Sequence, residues 1–541
     1  MPFFCYLMFV ALYLGVQMFQ GLSYLDIGFY MSGYLHFTDE PLVSYYLGQW
    51  LMTFVMSSAL GKFFGITSYM GFRVLHLVFV LLSQTVVYFY LKRYIRKRYI
   101  FLGLILATFS HFGGYTEINY NDYSIGLLTL AVMAYHTAVL RNRKRFVFLS
   151  GVFVGLAIFF RLTNLTFIGL PFAALLISFR YKAELSWLGQ SVSFFVGVAA
   201  GTAVTVSIVY ILGMSDVVLM TLKDITGMIT RHDDPHTAMS VVMNYYRIFK
   251  EELKCGAIMA LLTLLVVVVL AGRWRYKKLM AIIVPLVVMV NIYFWEPSAN
   301  ITVGICLMAL VVLFVADNLK SEVAWLFLLS LYVPIVFPLG SNAEVEFYGK
   351  DVSFLSLPLA LTVIANIGCL QPSALRPSYF KALILSYVSI CIAFLATNIK
   401  RTMMEDGNRL QCRYMIESPV ARGIYTTKEN ADMHNYLLKK LKPMIPNGSY
   451  LICDFSIPII EMLGCKPFAV FSTRFTSNSM SSHYISVAYN ETGKLPFLLM
   501  DRENRNDKDR YVEQCLSAIK PYRVLWHDDR FVLKCPVENF K

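Results

Sequence analysis

The sequence predicts a polytopic α-helical membrane protein of about thirteen transmembrane helices, followed by a C-terminal extracytoplasmic α/β domain. Three observations lead there. Hydrophobic residues make up 57% of the 541 and charged residues only 15%, and the apolar residues come in long uninterrupted runs, which is an integral membrane composition. The basic residues gather in short clusters between those runs, the positive-inside pattern of a polytopic protein. The formal net charge of +14 therefore does not point to nucleic acid, and no basic groove motif accompanies it. From about residue 398 the composition becomes that of a soluble domain.

Taken in order, the opening MPFFCYLMFVALYLGVQMFQ lacks a basic n-region and a small-residue cleavage site, and reads as a retained first helix over 2–20. The next stretch, GLSYLDIGFYMSGYLHFTDEPL (21–42), holds the first three carboxylates, Asp26, Asp39 and Glu40, among many aromatic residues. YYLGQWLMTFVMSSALGKFF (45–64) reads as a helix lying in the interface, because its Tyr, Trp, Gln and Lys suit the headgroup level. A crossing there would also put LKRYIRKRY (91–99) outside. Further spans follow near 70–90, 99–113, 123–140, 146–160, 164–179, 187–213, 255–272, 279–295, 300–316, 323–339, 354–371 and 379–397. With these, LKRYIRKRY, RNRKR (141–145), RYK (180–182), RWRYKK (273–278), Lys320 and the 376–381 cluster are all cytoplasmic. The N-terminus is then inside and the C-terminus outside. The long outer segments are 113–123, 213–254 and 338–354, and long polar loops on a helical scaffold are where a membrane enzyme builds its site.

In the tail, TTKENADMHNYLLKKLKPMIP (426–446) is an amphipathic helix with Thr426 and Glu429 at capping-box spacing and Pro446 as a stop. SYLICDF (449–455), PFLLMD (496–501), YRVLWHD (522–528) and RFVLKC (530–535) read as strands, and YVEQCLSAIK (511–520) as a helix. The domains are thus 1–397 and 398–541. Five cysteines lie in the tail, Cys412, Cys453, Cys465, Cys515 and Cys535, enough for one or two disulfides. They form no CxxC pair and no metal signature. Asn447 and Asn490 stand in sequons, which marks those loops as exposed in a secretory context.

Asp26 is the first candidate for chemistry. A carboxylate partly desolvated by Tyr24, Phe29, Tyr30 and Tyr34 at the membrane surface is pushed toward proton acceptance, and the plainer alternative is a helix cap. Glu117 and Asp122, with Asn119 and Asn121, form a second acidic cluster in a short loop. Two such loops on one face could share a divalent cation, but no His/Asp/Glu spacing fixes a ligand set. His36, His111, His232 and His236 read as solvated or structural. Arg73 and Arg161 sit at the outer ends of predicted helices, where an arginine needs a partner. A lipid phosphate is one that its fork of donors fits; snorkelling or an internal salt bridge is the other. Lys223, Arg231 and Arg247 in the long loop are weaker cationic candidates.

The pattern resembles the GT-C superfamily of polyprenyl-phosphate-dependent glycosyltransferases, which includes protein O-mannosyltransferases, the lipid A aminoarabinose transferase and related transferases that modify lipopolysaccharide. The features run in order: SYLDIGFY, the Pro-led EPLVSYYLGQWLM, FRVLHLVF, NYNDYSIGLLTLAVMAY, GVFVGLAIFFRLTNLTFIGLPF, and a terminal outward α/β domain. The resemblance implies a GT-C-like architecture and transfer of a sugar from a polyprenyl-phosphate-linked donor to a lipid, glycan or protein acceptor on the outer face, with inversion. It implies Asp26 as general base, Asp122 as the second-loop acid with Glu117 as its competitor, and Arg161 or Arg73, with Lys223 and Arg231, at the donor phosphate. Ile27 follows Asp26 where many members have a second acid, which weakens any claim to a metal. No further cofactor is implied, and the location implied is a bacterial inner membrane with the C-terminal domain in the periplasm. The competing readings are an oligosaccharyltransferase or glycan polymerase using a diphosphate-linked donor and, from another class, a lipid-linked sugar flippase.

Overall fold

The computed structural model describes residues 2–24, 26–37, 50–110, 116–182, 186–219, 221–222, scattered positions between 239 and 261, 298–316, 319–339, 351–370, 376–400, 406–453, 455–468, 478–503 and 507–537. The chain begins with α1 (Phe3–Gln17), α2 (Asp26–His36), α3 (Leu51–Phe64), α4 (Tyr69–Leu91), α5 (Lys97–Ser110), α6 (Tyr120–Arg141) and α7 (Lys144–Ile158). After a 3-10 segment at Leu162–Gly169 come α8 (Leu170–Ser178), α9 (Trp187–Ile211), α10 (Ser298–Ala316), α11 (Ser321–Val336), α12 (Ser356–Leu370) and α13 (Arg376–Lys400). All the spans expected from the sequence coincide with helices except those at 255–272 and 279–295, which fall almost wholly outside the described residues. Among the described residues, Tyr69–Leu91, Tyr120–Arg141, Trp187–Ile211 and Pro377–Lys400 are long and apolar enough to cross a bilayer as single helices. The protein is a polytopic helical membrane protein.

Helix α3 has 14 residues and stops at Gly65, whose φ of 63° only glycine adopts cheaply. Helices α7 and α9 cross at close range. Each helix carries two glycines four residues apart, Gly151 and Gly155 on one, Gly197 and Gly201 on the other. A Cβ on Gly151 would lie 2.1 Å from the Phe194 carbonyl oxygen, and one on Gly197 would lie 2.1 Å from that of Phe148. The two backbones touch, as small-residue faces allow in lipid.

The C-terminal segment carries β1 (Tyr414–Met415), β2 (Tyr425–Thr426), α14 (Lys428–Leu441), β3 (Tyr450–Cys453), α15 (Pro458–Met462), β4 (Lys466–Pro467), α16 (Asn478–Thr492), β5 (Phe497–Asp501), α17 (Asp507–Ile519), β6 (Tyr522–His527) and β7 (Phe531–Pro536). Five strands form one sheet in the order β4-β3-β5-β7-β6. Strand β3 runs parallel to β4 and β5, while β7 is antiparallel to β5 and β6. Every residue of β5 is buried, as befits an unbroken apolar strand covered on both faces. Two local expectations are corrected. Helix α14 is entered through Thr427, without a side-chain cap, because the Thr426 hydroxyl is drawn off to Asp406 at 2.7 Å. None of the five tail cysteines is in a disulfide, and four of them are buried.

Candidate active site

Three chain segments meet at the ends of α1, α4 and α6. Helix α6 starts on a capping box: the Asn119 side chain takes the first-turn amides, and the Asp122 carboxylate takes the Asn119 amide at 2.9 Å. The same Asp122 oxygen lies 2.9 Å from His76 Nδ1. His76 is one turn into the helix from Arg73, so both point from one face of α4 toward the loop before α6. Arg73 is fully buried, at 0% exposure. Its Nε donates to Glu117 Oε1 at 2.6 Å, Nη1 to the Met18 carbonyl at 2.6 Å, and Nη2 to the Gly21 carbonyl at 2.6 Å. Glu117 is equally buried, and its second oxygen accepts from Thr116 at 3.1 Å.

Of the two readings open for Arg73, the geometry takes the internal ion pair. Its guanidinium ties the end of α1 and the segment after it to the loop before α6. Tyr34 of α2 adds a second tie, donating to the Ile118 carbonyl at 2.7 Å. The segment that leads into α2, and α2 itself, are therefore tied to the loop before α6.

Asp26 opens α2, so an acid stands in the first turn of a short helix, where the helix dipole favours negative charge. Its side chain lies outside the described residues, as do Asp39, Glu40, Lys223, Arg231, His111, His232 and His236. Aromatic residues of α2 pack against Trp50 and Tyr120. Tyr30 lies 5.9 Å from the Tyr120 ring, Trp50 stacks on Tyr120 at 5.7 Å, and Phe29 meets Trp50 edge-on at 5.9 Å.

Arg161 stands at the break between α7 and the 3-10 segment and is 4% exposed. Its guanidinium lies 5.6 Å from the Tyr120 ring and 4.5 Å from that of Phe337, and Nη1 donates to the Phe337 carbonyl at 2.9 Å. Tyr120 is thus the hub between Arg161, the first turn of α6 and the aromatic face of α2.

Below Asp122 a narrow cleft runs into the helices past His76, Ser83, Gln84 and Thr108, with room for water rather than a sugar. His76 is the residue the sequence did not single out. Its only signal was a histidine one turn after a boundary arginine, and its partner is 46 positions away. Among the described residues no group of three or more His, Cys, Asp or Glu side chains converges on a metal-sized space. Glu117 is taken by Arg73, and Asp122 by His76 and a backbone amide.

The fold and the site together define a polytopic helical membrane protein with two interlocked acidic loops and a buried arginine beside an aromatic wall. No protein-family model matches the chain, and no curated protein matches its sequence. Among solved structures, it is similar to ArnT from Cupriavidus metallidurans bound to undecaprenyl phosphate, at 13% identity and a TM-score of 0.44, over 99% of this chain and 98% of that one. It is also similar to the apo oligosaccharyltransferase of Archaeoglobus fulgidus, at 12% identity and a TM-score of 0.46, over 94% of this chain and 70% of that one. At these identities and scores the likeness decides nothing about chemistry, which has to be read from the residues.

Proposed function

We propose that the protein is a membrane glycosyltransferase of GT-C type. It moves a sugar from a polyprenyl-phosphate-linked donor to a lipid, glycan or protein acceptor on the outer face of a bacterial inner membrane, with the segment after residue 398 as a periplasmic domain. The observation that supports this best is the convergence around Tyr120, where the acid-headed α2, the capping-box acid Asp122 and the buried Arg161 share one neighbourhood.

In the reaction, the Asp26 carboxylate takes the proton of the acceptor hydroxyl as that oxygen attacks the anomeric carbon. The bond from the anomeric carbon to the phosphate oxygen breaks in the same in-line step, and the lipid phosphate leaves with the electron pair, so the configuration inverts. Arg161 stabilises the charge gathering on the phosphate, and such electrostatic stabilisation is usually the largest catalytic contribution. Lys223 and Arg231 of the long loop assist it. Asp122 holds His76 and the start of α6, and the Arg73–Glu117 pair fixes the first loop to the second rather than touching the donor.

The test is reconstitution in liposomes with radiolabelled undecaprenyl-phosphate mannose, glucose and aminoarabinose in turn, together with a bacterial envelope extract as acceptor. Asp26→Asn is expected to lower transfer by on the order of 10²- to 10⁴-fold. Full turnover in that variant would remove the general-base assignment. Movement of the labelled lipid between leaflets without transfer would replace the enzyme with a flippase, and transfer only from a diphosphate-linked donor would point to the oligosaccharyltransferase chemistry.

A further inference from the structure

Helix α2 has 11 residues and includes Gly28 and Gly33, so on its own it is a weak helix. Its conformation is held from two sides. One side is aromatic: Tyr34 packs on Phe72 at 5.1 Å, and Phe37 on Phe54 at 6.0 Å. The other side belongs to the C-terminal segment. Gly28, Ser32 and His36 recur every four residues and so form one stripe, and that stripe docks on the short helix α15.

At Gly28 the Ile457–Pro458 link leaves no room for a side chain. A Cβ there would lie 2.5 Å from Pro458 Cδ and 2.7 Å from Ile457 Cβ. One turn later Ser32 donates to Glu461 Oε1 at 2.9 Å, and a further turn on His36 Nε2 lies 2.9 Å from Glu461 Oε2. Only a carboxylate offers two acceptors spaced to meet both. Glu461 is 8% exposed, and a buried carboxylate is costly unless hydrogen-bonded. Its two bonds therefore select one register of α2 against α15.

The lead-in to α2 is gripped by the same segment. Gly21 N donates to the Tyr425 carbonyl at 2.8 Å, Leu22 N to Asp406 Oδ2 at 2.9 Å, and Ile457 N to the Tyr24 carbonyl at 2.8 Å. The Tyr24 hydroxyl lies 2.7 Å from Thr426 Oγ1, and its ring stacks on His434 at 5.0 Å.

We propose that Glu461 is a positioning residue. Through Ser32 and His36 the C-terminal segment sets the register of α2, and with it the place of Asp26 at the head of that helix. This rests on the catalytic reading of Asp26 given above.

The experiment compares full-length wild type, Glu461→Ala, Glu461→Gln and Asp26→Asn in nanodiscs, by hydrogen–deuterium exchange and by the same radiolabelled transfer assay. Glu461→Ala is expected to speed amide exchange over residues 26–36 while exchange in α4 and α6 stays as in wild type. Its kcat should fall on the order of a hundredfold with little change in KM, since misplacement of a reacting group costs turnover rather than binding. Glu461→Gln, which keeps an acceptor for Ser32, should recover part of both. Unchanged exchange over 26–36 in Glu461→Ala overturns the proposal, and so does faster exchange with undiminished kcat. Retained turnover in Asp26→Asn counts against the catalytic reading instead, and the exchange result then decides separately whether Glu461 sets the helix.

Discussion

Acidification tests how the C-terminal segment is held together, through His434 of α14. The side chain has no exposed surface, and both ring nitrogens are engaged. Nδ1 lies 2.7 Å from the Asn430 carbonyl oxygen, and Nε2 lies 2.7 Å from Ser456 Oγ. A carbonyl can only accept, so Nδ1 carries the proton and Nε2 receives the serine hydroxyl, which leaves the ring neutral. Burial, opposed by the bond to Asn430, lowers its pKa from the ordinary 6.5 to about 4. Between those values the unfolded chain binds a proton that the folded one does not. Stability is therefore complete above pH 6.5 and is lost as the pH falls toward 4. With these two values, the loss amounts to about 2 kcal/mol at pH 5 and about 3 kcal/mol at pH 4.

The measurement is hydrogen–deuterium exchange of the slowest amides of α14 and β3 in the full-length protein, corrected for intrinsic exchange, at pH 7, 6 and 5. Protection in wild type should drop about thirtyfold from pH 7 to 5, the equivalent of that 2 kcal/mol. His434→Gln should start less protected and change far less, so the difference between the two profiles isolates this one group. Because Tyr24 stacks on His434, amides 20–24 of the first outer loop should follow the same profile. A His434→Gln profile parallel to that of wild type would refute the reasoning.

Two further expectations follow from buried contacts. Arg73→Met leaves Glu117 as an uncompensated buried charge and should cost about 3–5 kcal/mol, whereas Arg73→Met combined with Glu117→Leu should recover most of that; thermal unfolding in detergent measures both. Gly155→Leu places a side chain where even a Cβ would be 2.3 Å from the Val198 carbonyl oxygen. It should part α7 from α9 and cut the folded yield in size-exclusion chromatography, while Val152→Leu on the same helix should not.

Local patterns carried much of the fold into the sequence. Helix α14, with its apolar stripe, and the short apolar strands β3, β5, β6 and β7 were legible because their periodicity is intrinsic to the residues concerned. What was not legible depended on partners far along the chain. The capping box expected at Thr426 failed because Asp406, 20 residues earlier, competes for the hydroxyl. Arg73 was readable as a buried cation at a boundary, but whether its partner was a lipid phosphate or a carboxylate was fixed by Glu117, 44 residues on. His76 escaped notice for the same reason.

The first outer loop is the extreme case. Its stripe of Gly28, Ser32 and His36 reads in isolation as a small, weakly polar helix face with no function, because Glu461 lies 429 positions from Ser32. With α15 in place, each residue has a physical reason: no side chain where Pro458 and Ile457 press on the helix, a hydroxyl where a buried oxygen needs a proton, an imidazole beside the second oxygen. A helix this short and glycine-bearing gains its shape from the two surfaces that enclose it. On the catalytic reading proposed for Asp26, the acid at its head is then only as well placed as the grip of Asp406, Ile457 and Glu461 makes it, which ties that chemistry to residues 380 or more positions away.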